Sequence, residues 1–141
     1  MRGTCQKVRE CCMGMHVRRA ARLLGAYYDE YFGPAGISGT QFTLLNEIYL
    51  NSSIRIGRLA ERLGVDRTTL NRNLNLLERK NLIVSSTGED LRMRILSLTA
   101  EGEKSLKNAL PLWILAQSRI EAVLGKHLKR LIGDLRKLEK L

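Results

Sequence analysis

The chain has 141 residues, 44% hydrophobic and 27% charged, the balance of one globular domain rather than of a disordered segment. Lys and Arg number 24 against 14 Asp and Glu, a net charge of +10, so the expected partner is a polyanion, nucleic acid ahead of an acidic membrane. No apolar run is long enough to span a bilayer, and "MRGTCQKVRECC" lacks the apolar core of a secretory signal, so a cytoplasmic location with no membrane partner is expected.

The three cysteines, Cys5, Cys11 and Cys12, all lie in the first dozen residues, with no second cluster to pair with. A disulfide-stapled secreted fold is therefore not expected. Cys12 and His16 are four apart, but two ligands do not close a zinc site, and no metal or cofactor is expected. Arg9, Arg18 and Arg19 would favour a thiolate nearby, which makes Cys11 and Cys12 candidate redox thiols, set against unremarkable cysteines near a terminus.

From about Val8 to Phe32, Val17, Ala20, Ala21, Leu24, Tyr28 and Tyr31 recur at helical spacing, and "GPAG" ends that helix. Ser38 and Gln41 form a capping box, with Ile37 and Phe42 placed as a hydrophobic staple, so a new helix is predicted from Gly39 to about Leu50. Ser53 is a candidate cap for a short helix marked by Ile56, Leu59, Ala60 and Leu63 and closed by Gly64. Asp66 then caps "RTTLNRNLNLLERK". Helix, glycine turn and helix make a helix-turn-helix pattern.

"LIVSS", the turn "TGED" and "LRMRILSLT" read as a β-hairpin carrying arginines, a wing. Thr99 caps a further helix with Glu101 and Glu103 in its first turn, running toward Leu124 with a kink expected near Asn108 because Pro111 lies inside it. Leu124, Leu128, Leu131, Leu135 and Leu138 then form a heptad-like seam, for a partner helix or for packing within one subunit.

The helix after Asp66 is written in poor helix formers, each less favourable than alanine by roughly half a kcal/mol. On a helical wheel Leu70, Leu74 and Leu77 share one face, while Thr68, Asn71, Arg72, Asn75 and Arg79 occupy the other. Those are the side chains that meet base edges in the major groove. A merely solvated face would be better served by Glu, Lys and Gln. Arg92 and Arg94 would add minor-groove contacts from the wing, and Asp90 is read as an internal partner that sets the wing's pose.

Together "GTQFTLLNEIYL", "RLAERLGVDRTTLNRNLNLLERKNLI" and "GEDLRMRILSLTAEG" resemble the MarR family of winged helix-turn-helix transcription regulators, over about Val17 to Gly125. The resemblance implies a mostly α fold, with a winged helix-turn-helix lobe at 38–98 and dimerisation helices at 8–33 and 99–141 within a single domain. It implies a homodimer bound to double-stranded DNA at a pseudo-palindromic operator, as a repressor relieved by a small-molecule or thiol-oxidising signal. The family's helix-reading positions fall on Arg67, Thr68, Thr69 and Arg72, and its Asp-x-Arg wing motif on Asp90 and Arg92. In the family the aspartate buttresses the wing and the arginine enters the minor groove, and the resemblance implies the same roles here. The chain departs from the family at Asn81, where glycine is frequent, and at Ser85 and Ser86, where charged residues are.

An effector pocket between the dimerisation helices and the lobe is also implied, and Tyr27, Tyr31, Phe42 and Trp113 are its candidate lining, against plain core and interface. The alternative function is a winged-helix module for protein interaction, which would show exposed aromatics or Met where this chain shows Asn, Thr and Arg. No catalytic constellation accompanies the widely separated His16 and His127, so no enzyme activity is expected.

Overall fold

The computed structural model describes residues 1–87 and 94–140. Among the described residues, seven α-helices and three short strands follow one another as α1 (Arg2–Cys11), α2 (Met13–Phe32), α3 (Gly39–Leu50), β1 (Ile54–Arg55), α4 (Ile56–Leu63), α5 (Arg67–Arg79), β2 (Ile83–Thr87), β3 (Arg94–Leu98), α6 (Ala100–Leu124) and α7 (His127–Leu138). The fold is mostly helical, with a small antiparallel sheet in the order β1-β3-β2.

The N-terminal helix differs from its prediction. It starts at Arg2 and is interrupted at Cys12, whose ψ of 102° is extended. Cys11, Cys12 and Gly14 are weak helix formers, and α1 buries no residue that could hold the two pieces in line. Beyond Phe32 a single 3-10 turn, Gly33–Ala35, closes on Gly36 in the left-handed region (φ 69°). The capping box at α3 is complete: the Gln41 N–H donates to Ser38 Oγ at 3.2 Å and the Ser38 N–H to Gln41 Oε1 at 3.3 Å. Ile37 and Phe42, the predicted staple, are both buried in the core.

Ser53 does not cap α4. The chain instead passes through β1, where Ile54 pairs with Leu96 and Arg55 with Ile95, and the N-cap position falls on Arg55. Nothing local forecasts two residues of strand; their partner lies some forty residues along. In the hairpin, β2 and β3 pair from Ile83↔Leu98 to Thr87↔Arg94. Residues 88–93, which include Asp90 and Arg92, lie outside the described residues. Pro111 lies inside α6, which runs toward Leu124 as predicted, from Ala100, before Gly125 separates it from α7.

One core sits inside the lobe. Leu45, Ile48, Leu59, Leu70, Leu74, Leu77 and Leu96 are fully buried and join α3, α4, α5 and β3. Phe32 stacks on Phe42 with centroids 4.5 Å apart, carrying the core to the end of α2. The Tyr27 hydroxyl donates to the Ala116 carbonyl and the Tyr28 hydroxyl to Gln117 Oε1, both at 3.0 Å, so α2 is fastened to α6.

Candidate nucleic-acid interface

The helix-turn-helix corner is built by local sequence. Gly64 takes φ 61°, and the Val65 N–H returns to the Ala60 carbonyl at 3.2 Å, ending α4. Two residues on, Asp66 accepts from the Thr69 N–H at 2.8 Å and from the Thr69 hydroxyl at 2.7 Å, starting α5. The wholly buried Leu70, Leu74 and Leu77 seat α5 on the core and fix which face turns outward.

That outward face carries Arg67, Thr68, Thr69, Arg72, Asn75 and Arg79, all exposed. Thr69 spends its hydroxyl proton on the Asp66 cap, leaving it a methyl group and an acceptor. Asn71 is half-buried and its Oδ1 accepts from Arg94 at 3.4 Å. Arg94, expected as a wing cation, is turned inward: its Nη2 lies 2.7 Å from Glu78 Oε2. Sequence reasoning missed Glu78 as a site residue. Its spacing of seven from Asn71, two turns along one helix face, was the available signal. It also missed Lys80, whose Nζ donates to the Gly36 carbonyl at 2.8 Å and to Gln41 Oε1 at 3.2 Å, tying the end of α5 to the turn before α3.

The Asp66 carboxyl is held below its ordinary value, first by the Thr69 backbone N–H and next by the Thr69 hydroxyl. A depressed folded-state value means that its contribution is complete above the unfolded value of about 3.9 and is lost as pH falls through the lower folded value. Asp66→Ala should therefore lower the melting temperature at neutral pH, with the gap to wild type closing in acid below that window. Thermal melts at pH 7, 5, 4 and 3 test this; a gap constant across the series removes the capping role.

The four candidate effector-pocket residues do not share one cavity. Phe42 and Trp113 border a cleft of about 270 Å³ with Tyr28 and Asp29, and Tyr27 and Tyr31 border another of about 340 Å³ with Leu112 and Arg119. The Arg119 guanidinium sits 5.7 Å from the Tyr31 ring centroid. The Tyr27 hydroxyl is pushed up to about 12, first by the neighbouring Tyr31 hydroxyl and then by burial. Cys5 and Cys11 are exposed and Cys12, at the break between α1 and α2, is half-buried. His16 Nε2 lies 3.1 Å from the Glu10 carbonyl.

Comparison with known proteins places this geometry. The family model described as MarR family matches residues 35–93. No curated protein sequence matches the chain. Among solved structures, the transcriptional regulator MosR of M. tuberculosis in complex with DNA is 38% identical, with a TM-score of 0.83 over 92% of this chain and 97% of that one. The transcriptional repressor CouR bound to a 23-mer DNA duplex is 23% identical, with a TM-score of 0.82 over 96% of each chain. A mutant MarR of E. coli complexed with operator DNA is 21% identical, with a TM-score of 0.81 over 94% of this chain and 96% of that one. The last two share the fold. With the identity to MosR running over nearly the whole chain, this protein belongs to the MarR family.

Proposed function

We propose that the chain is a sequence-specific, DNA-binding transcription regulator of the cytoplasm, without enzymatic activity, that works as a homodimeric repressor on a pseudo-palindromic operator. The observation that carries this is the split of α5. Three leucines are wholly buried on one side, while Arg67, Thr68, Arg72, Asn75 and Arg79 stand exposed on the other beside a wing. Side chains of these types match base edges and phosphates. A protein-docking helix would favour aromatics and Met, and the one large hydrophobic that α5 exposes is Leu76.

Dimerisation is supported by apolar surface outside the lobe. Leu23 and Leu24 on α2, Ile114, Leu115 and Val123 on α6, and Leu131, Ile132, Leu135 and Leu138 on α7 are all exposed in the single chain. Such a concentration on three helices calls for a second copy. Arg92 would enter the minor groove with Asp90 as its buttress, and relief of repression would come from a small molecule in the two clefts or from oxidation at Cys11 and Cys12.

Genomic fragments retained by the purified protein, once sequenced, should share an inverted repeat with half-sites about one helical turn apart. Light scattering should report a dimer. Retention of fragments without a shared sequence, or a stable folded monomer at micromolar concentration, would count against the proposal.

A further inference from the structure

One ion pair joins the reading helix to the wing. Glu78, on the last turns of α5, receives Arg94 Nη2 at 2.7 Å on one carboxylate oxygen and the Ser85 hydroxyl at 2.7 Å on the other. Ser85 belongs to β2 and Arg94 to β3, so a single carboxylate grips both strands of the hairpin. Arg94 also donates through Nη1 to Asn71 Oδ1, two turns earlier on α5. It pairs with Thr87, the last described register between β2 and β3. Both charged side chains are under a third exposed, at 30% for Arg94 and 28% for Glu78. Burial raises the Glu78 carboxyl, but the Ser85 hydroxyl and the Arg94 guanidinium outweigh it and hold it below its ordinary value. By contrast Arg58–Glu61 and Lys104–Glu101 are exposed neighbours on single helices that join nothing.

We propose that Glu78 is a positioning residue for DNA recognition, and that Arg94 is a strut between α5 and the wing rather than a DNA contact. The inference rests on the DNA-binding function proposed above. Glu78 fixes the angle between wing and reading helix, so that both meet adjacent grooves at once, and Asn71 belongs to that strut more than to the reading surface. An acid near the end of a cationic DNA-facing helix would otherwise only weaken binding.

The test is affinity for an operator and for random duplex, over a salt series, with wild type, Glu78→Gln, Arg94→Met and the double variant. Simple electrostatics predicts that Glu78→Gln, with one more net positive charge, binds both duplexes more tightly. The strut predicts a fall of about tenfold or more on the operator, the size of one misplaced specific contact, with random duplex little changed. Arg94→Met should lose as much with its salt slope intact, and the double variant should be no worse than either single change.

Operator binding by Glu78→Gln as tight as wild type overturns the strut. So does a salt slope lowered by about one in Arg94→Met, the mark of a lost phosphate contact. Should Glu78→Gln fail to fold by circular dichroism, Arg94→Lys decides. It keeps the charge but cannot span Asn71 and Glu78, so the strut predicts lost operator preference and a direct cation contact predicts near-wild-type affinity. Wild type showing no operator preference at all would instead defeat the DNA-binding function itself.

Discussion

Gly102→Ala is expected to destabilise the protein by about 2–3 kcal/mol, although alanine is the better helix former. A Cβ at Gly102 would lie 1.9 Å from the Leu82 carbonyl oxygen and 2.9 Å from its carbon, both of them backbone. Neither can rotate away. The same carbonyl accepts the Thr99 N–H at 3.1 Å, the Thr99 hydroxyl donates to the Asn81 carbonyl at 2.6 Å, and the Gly102 N–H returns to Thr99 Oγ1 at 3.0 Å. The start of α6 is thus locked to the link between α5 and β2, and a methyl group would push the long helix off the lobe. Gly3 is also helical and has nothing within 4 Å of its would-be Cβ. Gly3→Ala should leave stability unchanged or raise it by less than about 1 kcal/mol. Urea denaturation of both variants checks the pair; equal midpoints would show that α6 can shift without cost.

Arg72→Ala is expected to remove roughly 1–3 kcal/mol of operator binding, about 5- to 150-fold, while sparing folding. Arg72 is exposed at the centre of the outward face, one turn before Leu76 and beside the half-buried Asn71. Unlike Arg62, which is held 2.7 Å from Glu47 between α4 and α3, Arg72 meets no acid among the described residues. Its guanidinium is therefore available for two parallel hydrogen bonds to guanine, geometry that Lys cannot reproduce. Competition between operator and random duplex measures the loss. An equal fall on both would make Arg72 a phosphate anchor and move base reading to Thr68 and Asn75.

Much of the lobe could be read from the amino acids in order, because its signals are local. Ser38 with Gln41, Gly64, Asp66 and Thr99 each set a helix end through partners three to five residues away, and all four stand where the sequence placed them. The spacing of Leu70, Leu74 and Leu77 settled which face of α5 is buried, and so which side chains are left for a ligand. The resemblance to the MarR family came from the same stretch. Contacts between distant residues were decided only by tertiary structure. Ile54 and Arg55 became strand because Leu96 and Ile95 offered an edge, and Gly102 was required because Leu82 lies against it. Arg94 looked like a free wing cation from its neighbours in the chain, yet it folds onto Glu78, sixteen residues back on another element. Periodicity and capping report backbone geometry within a turn or two, whereas an ion pair or a close backbone approach depends on where whole elements come to rest.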